Sequence, residues 1–505
     1  MGVVIRQSIL STIISYIGIA IGTFNVLWLY PKFLSPEQVG LLRLLQDIPS
    51  LFALFVRLGA TSVVDRFFSY FKDEDSRHHG FFFFILAYPM LGFIGFLFSF
   101  WYFNDFWASL YVEKSALLVH YFFLIIPLTF FMMYTDIIES YLRVHLKISF
   151  SNFLKEVFLR ILFTLSITIF AFNWIGFDVL VWLYSGCYGI ILLIIAYYLF
   201  QIGLFHWKPN WSIWNHSKMK EIRDYLIYII PGSAGGIIAH KIDNLMIAAI
   251  SGSGFNEGLT NVAIYSIAYF IGSVVEVPRK NIAQISIPIL SAAFKENDLP
   301  LIKNLYQKNA IIQLISGALL FSLIWINIDD LFLFIPNREI YLAGKYVILF
   351  IALTKLVDMT TSINTEIIQF SAHYRFNMIS IVLLSFITVI TSWILIPIHG
   401  INGAAIALFS TICIFNFVKT LFIYIKMGLN PFTNAMWAPW GYVLFILLVT
   451  PYLQWEGDSL LKAILCIGIR SIVIGGMFLF FVRKFNLSSD ISSLMDTLLS
   501  KVIKK

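Results

Sequence analysis

Charge is the scarcest property of this chain. Of its 505 residues only 12% are Asp, Glu, Lys or Arg, against 59% hydrophobic, and the mean hydropathy is +0.84. A water-soluble chain carries roughly 25% charged residues, so there is too little polar surface here to cover a soluble fold. Cysteine is nearly as scarce. Cys187, Cys413 and Cys466 stand far apart inside apolar runs, which argues against a disulfide framework or thiolate metal site and for buried, inert thiols. Long polar loops are missing too: the longest, about 203–224 and 281–307, are basic and partly amphipathic. A membrane glycosyltransferase, polymerase or ligase needs an external loop with catalytic carboxylates, and the sequence offers none. The expectation is a polytopic membrane protein that is not an enzyme, with no catalytic residue, metal or bound cofactor.

What is present is apolar length. About fourteen segments of spanning length recur between residues 9 and 483, each near the 20 residues or so that cross about 30 Å of hydrocarbon. The first, Ile9–Tyr30, has no small-residue cleavage site and reads as an uncleaved span rather than a signal peptide. Lys and Arg sort between alternate loops. With the N-terminus cytoplasmic, the inner loops hold Arg66, Lys72 and Arg77, then Arg143, Lys147 and Lys155, then Lys208, Lys218, Lys220 and Arg223. The outer loops hold only Lys32, Lys114, Arg338, Lys345 and Lys462. Both termini are then cytoplasmic. The net charge of +7 is topology, not a nucleic-acid footprint.

The stretch Ile229–Phe294 concentrates the anomalies. Pro231-Gly232 and Gly235-Gly236 interrupt an apolar run that goes on to carry His240, Lys241, Asp243 and Asn244. An ionisable residue at a helix centre costs about 2.5–3.5 kcal/mol on insertion scales, so it faces a bundle interior or a wet cavity. This reads as a transporter lined by that segment. A weak duplication agrees: an offset of about 223 residues places Val39 on Val262, Arg57 on Lys280 and Phe71 on Phe294. Six spans separate the copies, and an even number keeps both halves in one orientation. The repeats are then parallel, with the substrate site between them. The expected organisation is an N-terminal lobe over 1–202, a cytoplasmic linker over 203–224 and a C-terminal lobe over 225–426. Two further helices over 437–485 and a cytoplasmic tail over 486–505 complete it.

Two groups of residues carry a family resemblance. The first is Phe33-Leu34-Ser35-Pro36-Glu37-Gln38-Val39-Gly40, followed by Leu58-Gly59 and Arg66-Phe67. The second is Lys241-Ile242-Asp243-Asn244-Leu245-Met246-Ile247, then Tyr265-Ser266-Ile267-Ala268, Pro278 and Pro288-Ile289-Leu290-Ser291. In this order the chain resembles the multidrug/oligosaccharidyl-lipid/polysaccharide (MOP) exporter superfamily, in particular its Wzx-type polysaccharide flippase branch, over essentially its whole length. The longer loop Ser251–Thr260 and Ala263, where the family motif has glycine, leave the subfamily open. The resemblance implies an all-α membrane fold of two six-helix lobes related by a pseudo-two-fold axis, plus two C-terminal helices forming a lateral groove for a lipid tail. It further implies a polyprenyl-pyrophosphate-linked oligosaccharide as substrate, moved across a bacterial cytoplasmic membrane by alternating access. Association with polysaccharide polymerase machinery belongs to the same expectation.

Charges inside the spans are the candidate site. Arg57 and Arg470 have no acid nearby on their own helices and suit an anionic head group, because a planar guanidinium holds phosphate oxygens bidentately; bridging between the lobes to Asp47, Asp358 or Glu366 is the alternative. Lys241, Arg160 and Lys355 are further head-group candidates. Glu156 with Arg160 (i,i+4) and Lys355 with Asp358 (i,i+3) have the spacing of neutralised pairs. Arg43 and Lys419 lie near helix ends and are expected to snorkel. Asp243, Asp358, Glu366 and Asp47 are candidates for coupling to H+ or Na+. Pro231, Gly232, Gly235, Gly236 and Pro288 are hinge candidates, with close helix packing the alternative. A MATE-like antiporter of organic cations is the rival reading, disfavoured by the extra spans and the arginines. A flippase of the peptidoglycan precursor is the other.

Overall fold

A computed structural model describes residues 14–71, 80–145, 147–206, 218–252, 254, 256–453 and 460–488. Most of the expected tail and the centre of the linker lie outside these. The described residues are almost wholly helical and contain no strand. Among the described residues, eleven helices are long and apolar enough to cross a membrane. The chain is thus an all-α, multi-span membrane protein. Contacts divide it into two compact units, Met1–Ala263 and Ile264–Lys505.

The first unit contains α1 (Ile14–Phe33), α2 (Pro36–Val56), α3 (Ala60–Phe71) and α4 (Phe81–Tyr102). It continues with α5 (Ile125–Val144), α6 (Leu159–Ala171), α7 (Phe177–Gln201) and α8 (Met219–Ile250). The helix α9 (Glu257–Ser273) carries the boundary between the units. The motif Ser35-Pro36-Glu37-Gln38 is a helix start. Ser35 Oγ accepts the Gln38 N–H, Gln38 Oε1 accepts the Ser35 N–H, and Pro36 fills the first turn. Two residues past Gln38, Gly40 meets the Leu259 carbonyl so closely that a Cβ would lie 2.0 Å from the oxygen. Helix α2 packs on α5 and α8. Its contacts place α8 in the first unit, whereas the sequence reading assigned it to the C-terminal lobe.

The second unit contains α10 (Val277–Lys295), α11 (Leu299–Ile326), α12 (Lys345–Thr361), α13 (Asn364–Phe370), α14 (Tyr374–Met427), α15 (Trp437–Val449) and α16 (Leu460–Lys484). At 1.5 Å per residue, α14 as one rod would be about 80 Å long, far beyond any bilayer. It is a hairpin: Gly400 breaks it with φ 57° and ψ −136°, and Thr391 Oγ1 meets Thr411 Oγ1 at 3.2 Å across twenty residues of sequence. Gly403 lets the arms close, since a Cβ there would lie 2.1 Å from the Leu395 carbonyl oxygen. Between Ile379 and Ile394 the exposed residues of the first arm are all apolar, Ile379, Leu383, Phe386, Ile390, Trp393 and Ile394, at helical spacing. Such a stripe belongs against lipid. Helices α15 and α16 pack on α11. Fourteen crossings remain a proposal: α14 counts once among the eleven although it has two arms, and α6 and α8 are not among them.

Candidate functional site

Each unit holds its own network of charges inside its helices. In the first, α2 ends at Arg57, followed by Leu58 (φ 48°) and Gly59 (φ 74°), before α3 begins. This break turns the guanidinium toward α5, where Arg57 Nη1 meets Asp136 Oδ2 at 3.1 Å. Asp136, Glu139 and Arg143 share one face of α5 at i, i+3 and i+7. Lys155 Nζ joins the two acids, 3.0 Å from Asp136 and 2.6 Å from Glu139. Arg143 closes the network on Glu139 at 3.7 Å and on Asp65 at 3.2 Å. A second focus lies at Asp47, buried and contacted by Arg43 at 2.8 Å, Lys241 at 3.1 Å and Asn244 at 2.7 Å. Lys241 also donates to Ser50 Oγ at 2.6 Å.

In the second unit α9 passes through a 3₁₀ turn, Val274–Glu276, before Pro278 restarts the helix as α10. Arg279 Nη1 meets Asp358 Oδ2 of α12 at 3.0 Å and Glu276 at 3.7 Å. Lys355 Nζ is 2.6 Å from Glu276. Asn416 donates to Asp358 at 3.2 Å and accepts from Asn364 at 2.9 Å. Asn416 also lines a groove of about 530 Å³, together with Thr360, Thr361, Thr420, Phe417, Leu421 and Trp440.

The two networks share one element. Arg57 and Asp136 lie 79 residues apart, and so do Arg279 and Asp358. Moving both members of the first pair by 222 residues gives the second. Side-chain exposures match as well, 14% and 33% in one pair and 18% and 23% in the other. Each arginine stands beside an interruption of its helix.

Several expectations change. Arg57 and Arg470 have no acid nearby on their own helices, and the acids that hold them are distant in sequence and differ from Asp47, Asp358 and Glu366. Arg57 pairs with Asp136. Arg470 Nη1 lies 2.5 Å from Asp330 Oδ2, with side-chain exposures of only 10% and 3%, and Asn327 donates to the neighbouring Ser471 at 3.1 Å. This contact pins α16 to the end of α11. Lys355 takes Glu276 rather than Asp358. Lys419 does not snorkel: it is 1% exposed, donating to Thr365 Oγ1 at 2.8 Å with its ammonium 3.9 Å from the Phe415 ring. The Arg160–Glu156 pair forms as spaced, at 2.8 Å, with the guanidinium lying over Gly18 and Gly22 of α1.

Asp243 is buried. Glu366 has a buried Oε2 without a hydrogen-bond partner. Helices α8 and α10 run unbroken through Pro231, Gly232, Gly235, Gly236 and Pro288; the side-chain surroundings of these hinge candidates and of His240 lie outside the described residues. Arg279, Asp136, Asn416 and Lys419 were not singled out as site residues. For Arg279 the signal existed: an offset one residue shorter than 223 puts Arg57 on Arg279 instead of Lys280.

Comparison with known proteins places this geometry. The sequence profile of the family described as "Polysaccharide biosynthesis protein" matches residues 5–294. Among solved structures, the chain is similar to "Lipid II flippase MurJ, inward closed conformation", with TM-score 0.70 and 13% identity over 94% of this chain and 99% of that one. It is similar to the inward-facing conformation of a multidrug resistance MATE family transporter of the MOP superfamily, with TM-score 0.62 and 16% identity over 82% and 94%. It is also similar to a MOP superfamily transporter from Pyrococcus furiosus Vc1, with TM-score 0.56 and 16% identity over 84% and 95%. No curated protein sequence matches. At these identities the structural likeness shows the fold.

Proposed function

Because the chain belongs to the polysaccharide biosynthesis protein family, a Wzx-type branch of the MOP exporter superfamily, we propose that it is a flippase for a polyprenyl-pyrophosphate-linked oligosaccharide. It carries a surface-polysaccharide repeat unit, such as an O-antigen, from the cytoplasmic to the outer leaflet of a bacterial inner membrane, with both termini cytoplasmic. It works by alternating access between two six-helix lobes, without a covalent step, and hands its cargo to polymerase machinery.

The observation that supports this reading is the repeated arginine–aspartate pair. Arg57–Asp136 and Arg279–Asp358 give each unit one guanidinium that is held by a carboxylate yet partly accessible. A pyrophosphate offers oxygens that compete with that carboxylate for the same donors. The carboxylate keeps the cation paired when no substrate is bound, and the competition keeps binding weak enough to release. The groove that Asn416 lines, with Phe417, Leu421 and Trp440 among its residues, suits a lipid tail. The organic-cation antiporter reading lacks this logic, since two arginines attract anions.

The test uses liposomes containing a polyprenyl-pyrophosphate oligosaccharide and follows sugar accessibility to an external reagent. Arg57→Ala with Arg279→Ala is expected to abolish flipping while the protein stays folded. Flipping that survives this double substitution refutes the assignment of the arginines. A wild type that moves no lipid-linked sugar but exports a cationic dye refutes the flippase reading.

A further inference from the structure

A helix leaves its last four carbonyls and its first four N–H groups without partners of its own. At the Ser251 end of α8 a distant part of the first unit supplies those partners. Ser115 Oγ donates to the Ala248 carbonyl in the last turn of α8 at 2.7 Å. Lys114 Nζ donates to the Gly252 carbonyl just beyond that turn, also at 2.7 Å, and an ammonium is the charge that favours a helix C-terminus. The Lys114 carbonyl accepts the Gly258 N–H, in the first turn of α9, at 2.9 Å. Asn256 returns the arrangement: its Oδ1 accepts the Leu117 N–H, in the short helix Ala116–His120, at 3.1 Å. Three helix ends thus cap one another across 133 to 139 residues of sequence. Gly258 completes the fit, since a Cβ there would lie 2.6 Å from the Ala248 oxygen and 2.8 Å from the Lys114 oxygen. Gly252 and Asn256 belong to Ser251–Thr260, the stretch in which the chain departs from the family pattern.

Helix α8 is held at a second level by Asp47, and separation costs differ between the two levels. Asp47 is buried and bonded to Arg43 of its own helix and to Lys241 and Asn244 of α8. Withdrawing α8 there removes two of the three partners of a buried carboxylate, which is costly. The groups at the Ser251 end are capping groups beside a turn in which Gly252 and Gly254 are exposed, and water satisfies such groups once the helix ends part. Separation is therefore cheap at the Ser251 end and expensive at Asp47. We propose that Lys114, Ser115 and Asn256 form a latch on the Ser251 end of α8, which opens while the Asp47 contact stays closed. On the topology of the flippase reading the latch shuts the outer side and releases once in each transport cycle. In that role it rests on the flippase reading; its opening does not.

Spin labels on the full chain in liposomes test the latch without any substrate. With Cys187, Cys413 and Cys466 replaced by alanine, nitroxides are placed at Val112→Cys and Gly254→Cys, both exposed positions whose side chains take no part in the latch. Double electron–electron resonance is expected to show a dominant short distance. Lys114→Met with Ser115→Ala is expected to raise the ratio of long to short distances by about tenfold or more, for the loss of one charge-assisted and one neutral hydrogen bond. Asn256→Ala is expected to shift the ratio the same way by a smaller factor, and serves if the double variant does not fold. A distance distribution that these variants leave unmoved overturns the latch. A second measurement joins Leu117→Cys to Asn256→Cys with a short, reducible thiol cross-linker and follows lipid-linked sugar. Flipping is expected to stop on cross-linking and to return on reduction; flipping that continues unchanged while cross-linked refutes the latch. If the reduced protein moves no lipid-linked sugar, the flippase reading fails while the distance measurement still decides whether the latch opens.

Discussion

The Arg470–Asp330 contact gives a prediction in which structural and substrate-binding roles diverge. Both side chains are almost sealed, and a neutral hydrogen bond lies beside them, Asn327 to Ser471 at 3.1 Å. Arg470→Met strands the Asp330 carboxylate where little water reaches it. Removing one partner of a buried pair costs about 3–5 kcal/mol, whereas replacing both by apolar residues of similar volume is often neutral or stabilising. The neighbouring neutral hydrogen bond contributes only about 1 kcal/mol, so it does not rescue the single variant. Arg470→Met and Asp330→Leu are each expected to lower unfolding stability by about 3–5 kcal/mol, measured by reversible detergent denaturation in bicelles. The double variant is expected to recover most of that loss and to flip lipid-linked sugar at the wild-type rate. A single variant costing under about 1 kcal/mol would fall in the range of a surface pair and refute the staple. So would a stable double variant that no longer transports, which would return Arg470 to the substrate site.

Three more outcomes follow from close contacts. Gly40→Ala pushes a Cβ to within 2.0 Å of the Leu259 backbone oxygen, while Gly95→Ala meets nothing within 4 Å. The first is expected to cost about 1–3 kcal/mol or more as an overpacked contact, and the second to be silent, in parallel thermal melts. Gly400→Ala forces a side chain onto φ 57°, ψ −136°; a cost of about 1–3 kcal/mol is expected for that region, and an unchanged melt would place the break elsewhere. Lys155→Met leaves Asp136 and Glu139 without their shared cation, but Lys155 is 36% exposed. The expected loss is therefore only about 1–2 kcal/mol, between a surface and a buried pair. Adding Glu139→Gln should restore part of it, and a Lys155→Met protein as stable as the wild type would show that water has replaced the amine.

The membrane class and the helical fold were legible because hydropathy depends on single residues in local order. So was the start of α2, since Ser35, Pro36 and Gln38 cap their own helix. The i,i+4 contact of Glu156 with Arg160 was legible for the same reason. Pairing across helices was not. Arg57 finds Asp136 across 79 residues and Arg470 finds Asp330 across 140, and neither distance leaves a periodic trace. Lys419 was misread because distance from a helix end was taken as a measure of solvent access. Its helix continues to Met427, and its amine is enclosed by Thr365 and Phe415.

The duplication argues for function more strongly than any single contact does. The network around Arg57 contains six charged residues: Arg57, Asp65, Asp136, Glu139, Arg143 and Lys155. At the same offset of 222 these become Arg279, Ile287, Asp358, Thr361, Thr365 and Asn377. Only the arginine and its aspartate stay charged. If the pair served merely to neutralise charge inside each unit, its supporting residues would be as likely to recur as the pair itself. Instead each unit supports Asp136 or Asp358 in its own way, by Lys155 in one and by Asn416 in the other, while the pair keeps its residue types, its spacing and its partial exposure. A paired cation that both halves of a transporter must present in alternate states is the requirement that fits this pattern. Accordingly, exchanging the pair in one unit, Arg57→Asp with Asp136→Arg, should keep the ion pair and the fold, yet move the guanidinium to the other helix. Flipping is expected to fall by about tenfold or more, the loss of one charge-assisted contact of about 1.5–3 kcal/mol. Retention of the wild-type rate by the folded swap would show that only neutralisation is needed, and would reduce the repeated pair to packing.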